Sequence, residues 1–448
     1  MLDSDHTFIS AVRLQGSRRR HDGAEEGGGI PPAHSPAYFL WFFLALLLMG
    51  LSMPIGFLIL HLTRSARRPQ DIASDVAATK NANRTSLVTL PRPLSLWMPP
   101  VRCGRPVSFF EPSAEQYKAF QKTVAAPGSG QHFQGDGAVF CYYNRSRLTI
   151  LEGQAYRPFL IPSQFCSHVI YGPVPIDHST LYLLTVTYDE MLLEDLETLR
   201  SSGAKLVVSV GGPEHDGTFS ILANRTGFYS RLAVNLVSWI KEHKFSGVDL
   251  YWVDLDGPCG RADDTHALTR LVRHLRRAFA VNDPSLVITL HVPEAGRGQI
   301  LNLTRGTVDY YFLPRSPCES TEFHGALRQM NQSIIDNLCF TLSPLGTAFS
   351  ENTLEVVEAM LPYHVACQLN GTERFRDSCQ AKLVLEGNSS VWHVYESPDT
   401  VAEKAREVRK MAPNNSCFLV SDVDMDDFLG SCGPKHALLQ SVTMSGRR

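Results

Sequence analysis

The sequence predicts an α/β protein whose main domain is a (β/α)8 barrel, the TIM-barrel architecture. Short apolar runs, typical of strands buried on both faces, alternate with segments whose apolar residues recur at three- and four-residue steps. Eight such runs occur within roughly 300 residues, as eight strand–helix units require. The alternative is a doubly wound open sheet, which lacks the support of a Gly-rich phosphate loop.

The eight predicted strands share continuous apolar stretches that are short enough for strands. They cover 138–143, 167–172, 205–210, 248–253, 286–292, 308–313, 338–343 and 417–422. Predicted helices separate most of them, for example 190–200, 228–243, 265–280 and 401–412. This alternation continues from about 136 to 435, which are the predicted bounds of the barrel.

Composition indicates a globular chain that does not bind nucleic acid. The 448 residues are 44% hydrophobic and 19% charged, which is enough for a sizeable core. The formal net charge is −3, and no basic run interleaved with aromatic residues occurs in the C-terminal four-fifths. A nucleic-acid partner is therefore not expected, because such proteins carry a basic surface.

Residues 37–60 carry no charge and predict a transmembrane signal-anchor helix. A bilayer core needs about 20 apolar residues in a helix, and this run is longer. The alternatives are a cleaved signal peptide, which usually has a shorter run and a shorter preceding segment, and a buried soluble helix. Residues 1–36 are polar and predict a disordered cytosolic tail.

Glycosylation acceptors orient this helix better than its flanking charges do. Asn-x-Ser/Thr triplets occur only after the span, at Asn83, Asn144, Asn224, Asn302, Asn331, Asn370, Asn388 and Asn414. All ten cysteines also follow the span, as in an oxidising compartment. The sequence therefore predicts a single-pass type II membrane protein with its C-terminal domain extracellular or lumenal.

A stem joins the span to the barrel, and a short tail ends the chain. Residues 61–135 are first polar and then Pro-rich, which is typical of an extended spacer. Residues 436–448 are predicted to be a C-terminal tail.

A series of motifs runs along the barrel, as VFCYYN, PSQFCSHVIYG, KLVVSVGG, FSGVDLYW, LPYHVACQL, VWHVYESPDTVAEKA and DVDMDDFLGSCG. In this order they resemble glycoside hydrolase family 18, the chitinases. The resemblance covers the barrel region only. It implies disulfides Cys141–Cys166 and Cys367–Cys432, and leaves open the pairing of Cys103, Cys259, Cys318, Cys339, Cys379 and Cys417.

Many chitinases carry an α+β module after barrel strand seven, where it walls the substrate cleft. Only about ten residues separate GTAFS (346–350) from the LPYHVAC motif in this chain. The sequence therefore predicts that this module is absent and that the groove is shallower.

The catalytic residues of that family are degenerate in this sequence. The family's fourth strand reads F-D-G-x-D-x-D-W-E, and its glutamate protonates the leaving oxygen. By resemblance the first aspartate is Ser246, the second remains Asp249, the third is Tyr251 and the glutamate is Val253. Valine cannot supply general acid catalysis.

Other functional positions of the family have also changed. The M-x-Y-D of strand six is replaced by Pro314-Arg315-Ser316-Pro317. The aromatics that follow the Gly-Gly turn and end the last strand are Pro213 and Ser421. Asp254 and Asp256 follow strand four, but Asp254 alternates to the wrong face and Asp256 lies in a loop.

Alternation along strand four predicts which side chains reach the barrel mouth. Asp249, Tyr251 and Val253 share one face, while Trp252 points toward the helices and is predicted to be core. The candidate ligand-binding residues are Tyr142, Tyr143, Asp249 and Tyr251. The alternative for the three tyrosines is barrel packing, and Asp249 is most simply a buried, hydrogen-bonded residue.

The sequence thus predicts a catalytically inactive chitinase-like ectodomain, anchored in a membrane, that binds a glycan or an extracellular protein. Loss of two stacking aromatics favours the protein. No cofactor and no metal are expected. The alternative is an active but diverged family 18 glycosidase acting on chitin or other glycans that contain N-acetylglucosamine.

Overall fold

The computed structural model describes part of one folded unit. The described residues are 112–123, 132–212, 215–253, 255, 260–293, 296–313, 336–350, 356–375, 382–386, 391–413 and 415–445. They all belong to Leu87–Arg448, the second of two units of the chain. The predicted tail 1–36 and span 37–60 lie outside this set, within which no helix is long and apolar enough to cross a bilayer.

Eight parallel strands close into a barrel, as the sequence predicts. Strands one to eight are Ala138–Asn144, His168–Val174, Lys205–Gly211, Gly247–Tyr251, Val287–His291, Tyr310–Leu313, Leu338–Leu342 and Cys417–Val420. Strand one pairs with both strand two and strand eight, so the sheet is continuous around the barrel. Each strand corresponds to one apolar run of the sequence.

Helices and short turns surround the barrel. The α-helices are Ala114–Lys122, Thr187–Ser201, Asp216–Leu222, Phe228–Glu242, Asp264–Asn282, Arg297–Thr304, Tyr363–Ala366, Pro398–Met411 and Ala437–Met444. The 3-10 turns are Pro158–Leu160, Ser163–Phe165 and Val423–Met425, and a small hairpin pairs Ile150–Leu151 with Gln154–Ala155.

Alternation divides the strand residues between two cores. Outward residues such as Cys141, Val248 and Leu250 pack in a large layer beneath the helices. Inward residues such as Phe140 and Phe312 form a second cluster inside the barrel. The period-two rule for strands therefore decides which side chains can face the mouth.

Gly247 allows strands four and five to approach closely. A Cβ atom at this position would overlap the backbone carbonyl of Val287 on strand five. The same two strands carry polar inward residues toward the mouth, so the close approach also sets the spacing of those side chains.

An inserted sheet follows strand seven, and the prediction that no α+β module is present is wrong. Five antiparallel strands form it, at Leu345–Ser350, Val356–Pro362, Gly371–Phe375, Lys382–Glu386 and Val391–Tyr395. The helix Tyr363–Ala366 lies within the insert. The prediction counted about ten residues between GTAFS and the LPYHVAC motif and took the motif as the end of the gap. The motif is itself part of the module, so the module is longer than that gap.

The folded domain extends beyond both predicted boundaries of the barrel. In the predicted stem, helix Ala114–Lys122 begins with a capping box between Ser113 and Gln116. Its Phe120 is buried, with its ring centroid 5.6 Å from that of Tyr188. The predicted C-terminal tail contains helix Ala437–Met444, which buries four apolar side chains in the large outer core and is a structural helix.

Three disulfides lie within the described residues. Cys141–Cys166 and Cys367–Cys432 are the pairs that the resemblance implies. The third joins Cys339 to Cys417, which are directly paired residues at the start of strands seven and eight. The other four cysteines (Cys103, Cys259, Cys318 and Cys379) lie outside the described residues.

Candidate binding site at the barrel mouth

A row of polar residues crosses three neighbouring strands near the carboxyl end of the barrel. Ser209 on strand three, Asp249 on strand four and Thr289 on strand five are directly paired in register. All three are fully buried. The carboxyl end is where barrels of this architecture place their functional residues.

Asp249 is held by its neighbours on both sides. Its Oδ2 accepts a hydrogen bond of 2.6 Å from Ser209 Oγ, and its Oδ1 accepts one of 2.8 Å from Thr289 Oγ1. His291 Nε2 lies 3.2 Å from Oδ2. Because both oxygens are engaged and no part of the side chain is exposed, this carboxylate is built into the barrel as a structural group.

Two stacked rings lie above this row. The rings of Tyr251 and His291 are nearly parallel, at an interplanar angle of 6°, with centroids 3.8 Å apart. Tyr142 meets Tyr251 edge to face at 6.3 Å, and its hydroxyl donates to Ser209 Oγ at 3.4 Å. Burial, followed by the negative charge of Asp249, raises the pKa of Tyr142 well above its usual value.

The structure brings three of the four candidate ligand-binding residues together and separates the fourth. Tyr142, Asp249 and Tyr251 meet at the mouth. Tyr143 points outward, where it stacks on Tyr171 and Tyr156 in the layer beneath the helices. Tyr143 directly follows Tyr142 in the sequence, but strand alternation assigns it to the opposite face of the sheet.

The degenerate motif is spread along strand four from one end of the barrel to the other. Ser246 precedes the strand at its amino end, where its backbone N–H donates to Leu206 O at 2.6 Å. Val253 follows the strand at the mouth and is half-buried. Trp252 is fully buried and stacks on Phe219 with centroids 5.0 Å apart, as predicted for a core residue.

The end of strand eight carries charge at the mouth. Ser421 follows the strand, and its backbone N–H donates to Leu342 O. Arg147 forms ion pairs of 2.9 Å with Asp422 and with Asp424. The remaining predicted positions, which are Pro213, Asp254, Asp256 and 314–317, lie outside the described residues.

Sequence reasoning missed Ser209, Thr289 and His291. Each is a polar residue inside an otherwise apolar strand run, in KLVVSVG and VITLH. Such residues need a hydrogen-bond partner when buried, and that requirement was the available signal.

Comparison with known proteins assigns the architecture. A family model described as "Glycosyl hydrolases family 18" matches residues 138–315. "Probable chitinase 10" of Drosophila melanogaster is 28% identical over 152 residues, which are 32% of this chain and 7% of that protein. "Putative chitinase" of Pinctada maxima is 23% identical over 359 residues, covering 68% of this chain and 75% of that one.

Solved chitinase structures share the fold. Group II chitinase catalytic domain 2 of Ostrinia furnacalis aligns with a TM-score of 0.58 and 18% identity, over 70% of this chain and 97% of that one. Human YKL-39 aligns with a TM-score of 0.57 and 18% identity, over 70% and 100%. The class defined by barrel and insert is therefore the chitinase-like (β/α)8 barrel. Residues 138–315 carry the match to glycosyl hydrolases family 18, and the comparisons support a chitinase-like protein of that family.

Proposed function

We propose that the chain is a non-catalytic, membrane-anchored, chitinase-like ectodomain that binds a glycan or a protein partner. The observation that carries the proposal is Val253, which by the motif resemblance stands where the family has its catalytic glutamate. An aliphatic side chain cannot protonate a leaving group. The barrel then serves as a scaffold, because a fold does not determine a function.

The neighbouring side chains support the loss of catalysis. Asp249, the one aspartate that the motif retains, is fully buried with both oxygens accepting hydrogen bonds. Tyr251, in place of a further aspartate, stacks on His291. Asp422 forms an ion pair with Arg147, in which its carboxylate is ionised and has no proton to donate. None of these three residues offers a carboxylic acid directed at a substrate oxygen.

A solved relative supports the binding part of the proposal. Human YKL-39 is described as a pseudo-chitinase with retained chitooligosaccharide binding properties. Loss of catalysis and sugar binding therefore coexist on this fold. In this chain the positions of two stacking aromatics hold Pro213 and Ser421, which favours a protein partner.

The decisive measurement is turnover of a fluorogenic chito-oligosaccharide by the full-length chain, purified from human cells in mild detergent. We expect no turnover above a heat-inactivated sample of the same protein. Turnover well above that control would refute the proposal. If no turnover is found, binding of the protein to chitin beads distinguishes the two kinds of ligand. Retention on the beads would assign a glycan ligand, and absence of retention would favour a protein partner.

The membrane topology is tested separately. Peptide-N-glycosidase treatment of the expressed chain should produce a large mobility shift, because the acceptor triplets follow the predicted span. Protease added to intact cells should remove the C-terminal domain and leave an N-terminal epitope protected. No mobility shift would contradict the topology.

The alternative is an active but diverged glycosidase, and one observation favours it. His291 lies at the mouth with its Nε2 3.2 Å from Asp249 Oδ2, and histidine is the commonest general acid or base. However, its side chain is only 12% exposed and its ring is covered by Tyr251. If the wild type turned over substrate and His291→Asn did not, this alternative would replace the proposal.

A further inference from the structure

One glycosylation acceptor lies at the carboxyl end of the barrel. Asn144 is the last residue of strand one, and it begins the triplet Asn144-Arg145-Ser146. Residues 140 and 142 of this strand point into the barrel, whereas Cys141 and Tyr143 point outward. The period of two assigns Asn144 to the inward face, one position above Tyr142 and toward the mouth.

The Asn144 side chain is held with its amide nitrogen available. Its Oδ1 accepts a hydrogen bond of 3.0 Å from the backbone N–H of Ser146. Its Nδ2, the atom to which an N-linked glycan attaches, donates no hydrogen bond to the described part of the chain. The residue is half-buried, and the hydrogen bond from Ser146 holds its side chain in place.

Asn144 lies between two neighbouring elements at the mouth. Its register partner is Gly172 of strand two, where an added Cβ would meet Ser209. On the other side Arg147 pairs with Asp422 beyond strand eight. The inward face of strand one, which carries Tyr142, is therefore the side from which a sugar on Nδ2 would leave.

We propose that Asn144 carries an N-linked glycan whose first two N-acetylglucosamine units cover the barrel mouth. Those two units are β1,4-linked, as in a chito-oligosaccharide. The chain's own glycan would thus lie at the carboxyl end of the barrel, where barrels of this architecture place their functional residues. This inference rests on the proposed membrane topology. If the glycan covers the mouth, an external partner binds to another surface of the domain.

A second acceptor provides the matched control. Asn302 is exposed and lies in the last turn of helix Arg297–Thr304. Helices of a (β/α)8 barrel run opposite to the strands, so this end of the helix lies at the amino end of the barrel. A glycan on Asn302 has the same chemistry and lies at the opposite face.

The first experiment measures occupancy by glycopeptide mass spectrometry of the full-length chain from human cells. We expect both Asn144 and Asn302 to be modified. An unmodified Asn144 beside a modified Asn302 would overturn the inference and leave the topology intact. If neither were modified, the topology of the proposed function would fail as well.

The second experiment measures shielding by hydroxyl-radical footprinting of the peptide that contains Tyr251 and Val253. Two variants remove the glycan differently, since Asn144→Gln changes the acceptor and Ser146→Ala keeps it. We expect oxidation of this peptide to rise severalfold in both variants and to stay at the wild-type rate in Asn302→Gln. Equal rates in wild type and Ser146→Ala would overturn the inference, whatever the turnover assay gives.

Discussion

Asp249 is predicted to stabilise the barrel, and its replacement measures that role. It accepts one hydrogen bond from Ser209 and one from Thr289 in a fully buried position. Hydrogen bonds to a charged group contribute about 1.5–3 kcal/mol each, so the pair contributes about 3–6 kcal/mol. Asp249→Ala removes both bonds and leaves two buried hydroxyl groups without their acceptor.

We expect Asp249→Ala to lower the free energy of unfolding by about 3–5 kcal/mol, a large part of a typical 5–15 kcal/mol. Asp249→Asn keeps the shape and one acceptor oxygen, and should cost about 1–2 kcal/mol. The assay is urea unfolding of the full-length chain, followed by the fluorescence of tryptophans such as Trp252, which is buried. If Asp249→Ala is too unstable to be purified, the unfolding free energy of Asp249→Asn tests the same role.

A surface carboxylate is the control for this comparison. Asp263 pairs with Arg270 while its side chain is 62% exposed. Exposed pairs contribute about 0–1 kcal/mol, so Asp263→Ala should change stability little. If Asp249→Ala cost no more than Asp263→Ala, Asp249 would not be a structural group, and its retention would have to be explained by function.

Three further changes test the barrel itself. Burial lowers the pKa of His168 to about 3, so only the unfolded chain gains a proton below about pH 6.5. His168 alone should therefore lower stability by about 2 kcal/mol between pH 7 and 5, at up to about 1.4 kcal/mol per pH unit. His168→Phe should remove this share in pH-dependent urea titrations, while the shares of other buried histidines such as His215 and His436 remain. Gly247→Ala should greatly reduce the amount of folded full-length protein recovered in mild detergent, because it separates strands four and five. Gly298→Ala meets open space and should be neutral in the same assay. Arg145→Met leaves Asp189 buried without its cation and should cost about 3–5 kcal/mol in thermal unfolding.

The barrel could be predicted because its strands are buried on both faces. Such strands read as continuous apolar runs, and KLVVSV and VITLH are recognisable without an alignment. The insert was missed partly because two of its strands do not form such runs. Gly371–Phe375 and Lys382–Glu386 mix charged and apolar residues, as antiparallel strands commonly do.

The site could be predicted only along one strand at a time. Alternation correctly separated Asp249 and Tyr251 from Trp252 within strand four. The partners of Asp249 come from strands three and five, and they depend on register. A shift of one residue would exchange the inward and outward residues, and the sequence does not state the register between distant segments.

The packing at the mouth also determines what a single reversion can achieve. Val253→Glu would introduce a carboxyl group two residues beyond Tyr251, with no aspartate free to orient a substrate, since both oxygens of Asp249 accept hydrogen bonds. Acid catalysis needs the acid within about 3 Å of the proton acceptor in a bound substrate. We therefore expect Val253→Glu to remain inactive on the fluorogenic chito-oligosaccharide. Val253→Glu with Tyr251→Asp should remain inactive as well, because residues 314–317 still replace the M-x-Y-D of strand six. Activity in the single variant would mean that the mouth still positions a substrate and that one side chain alone separates this chain from a chitinase.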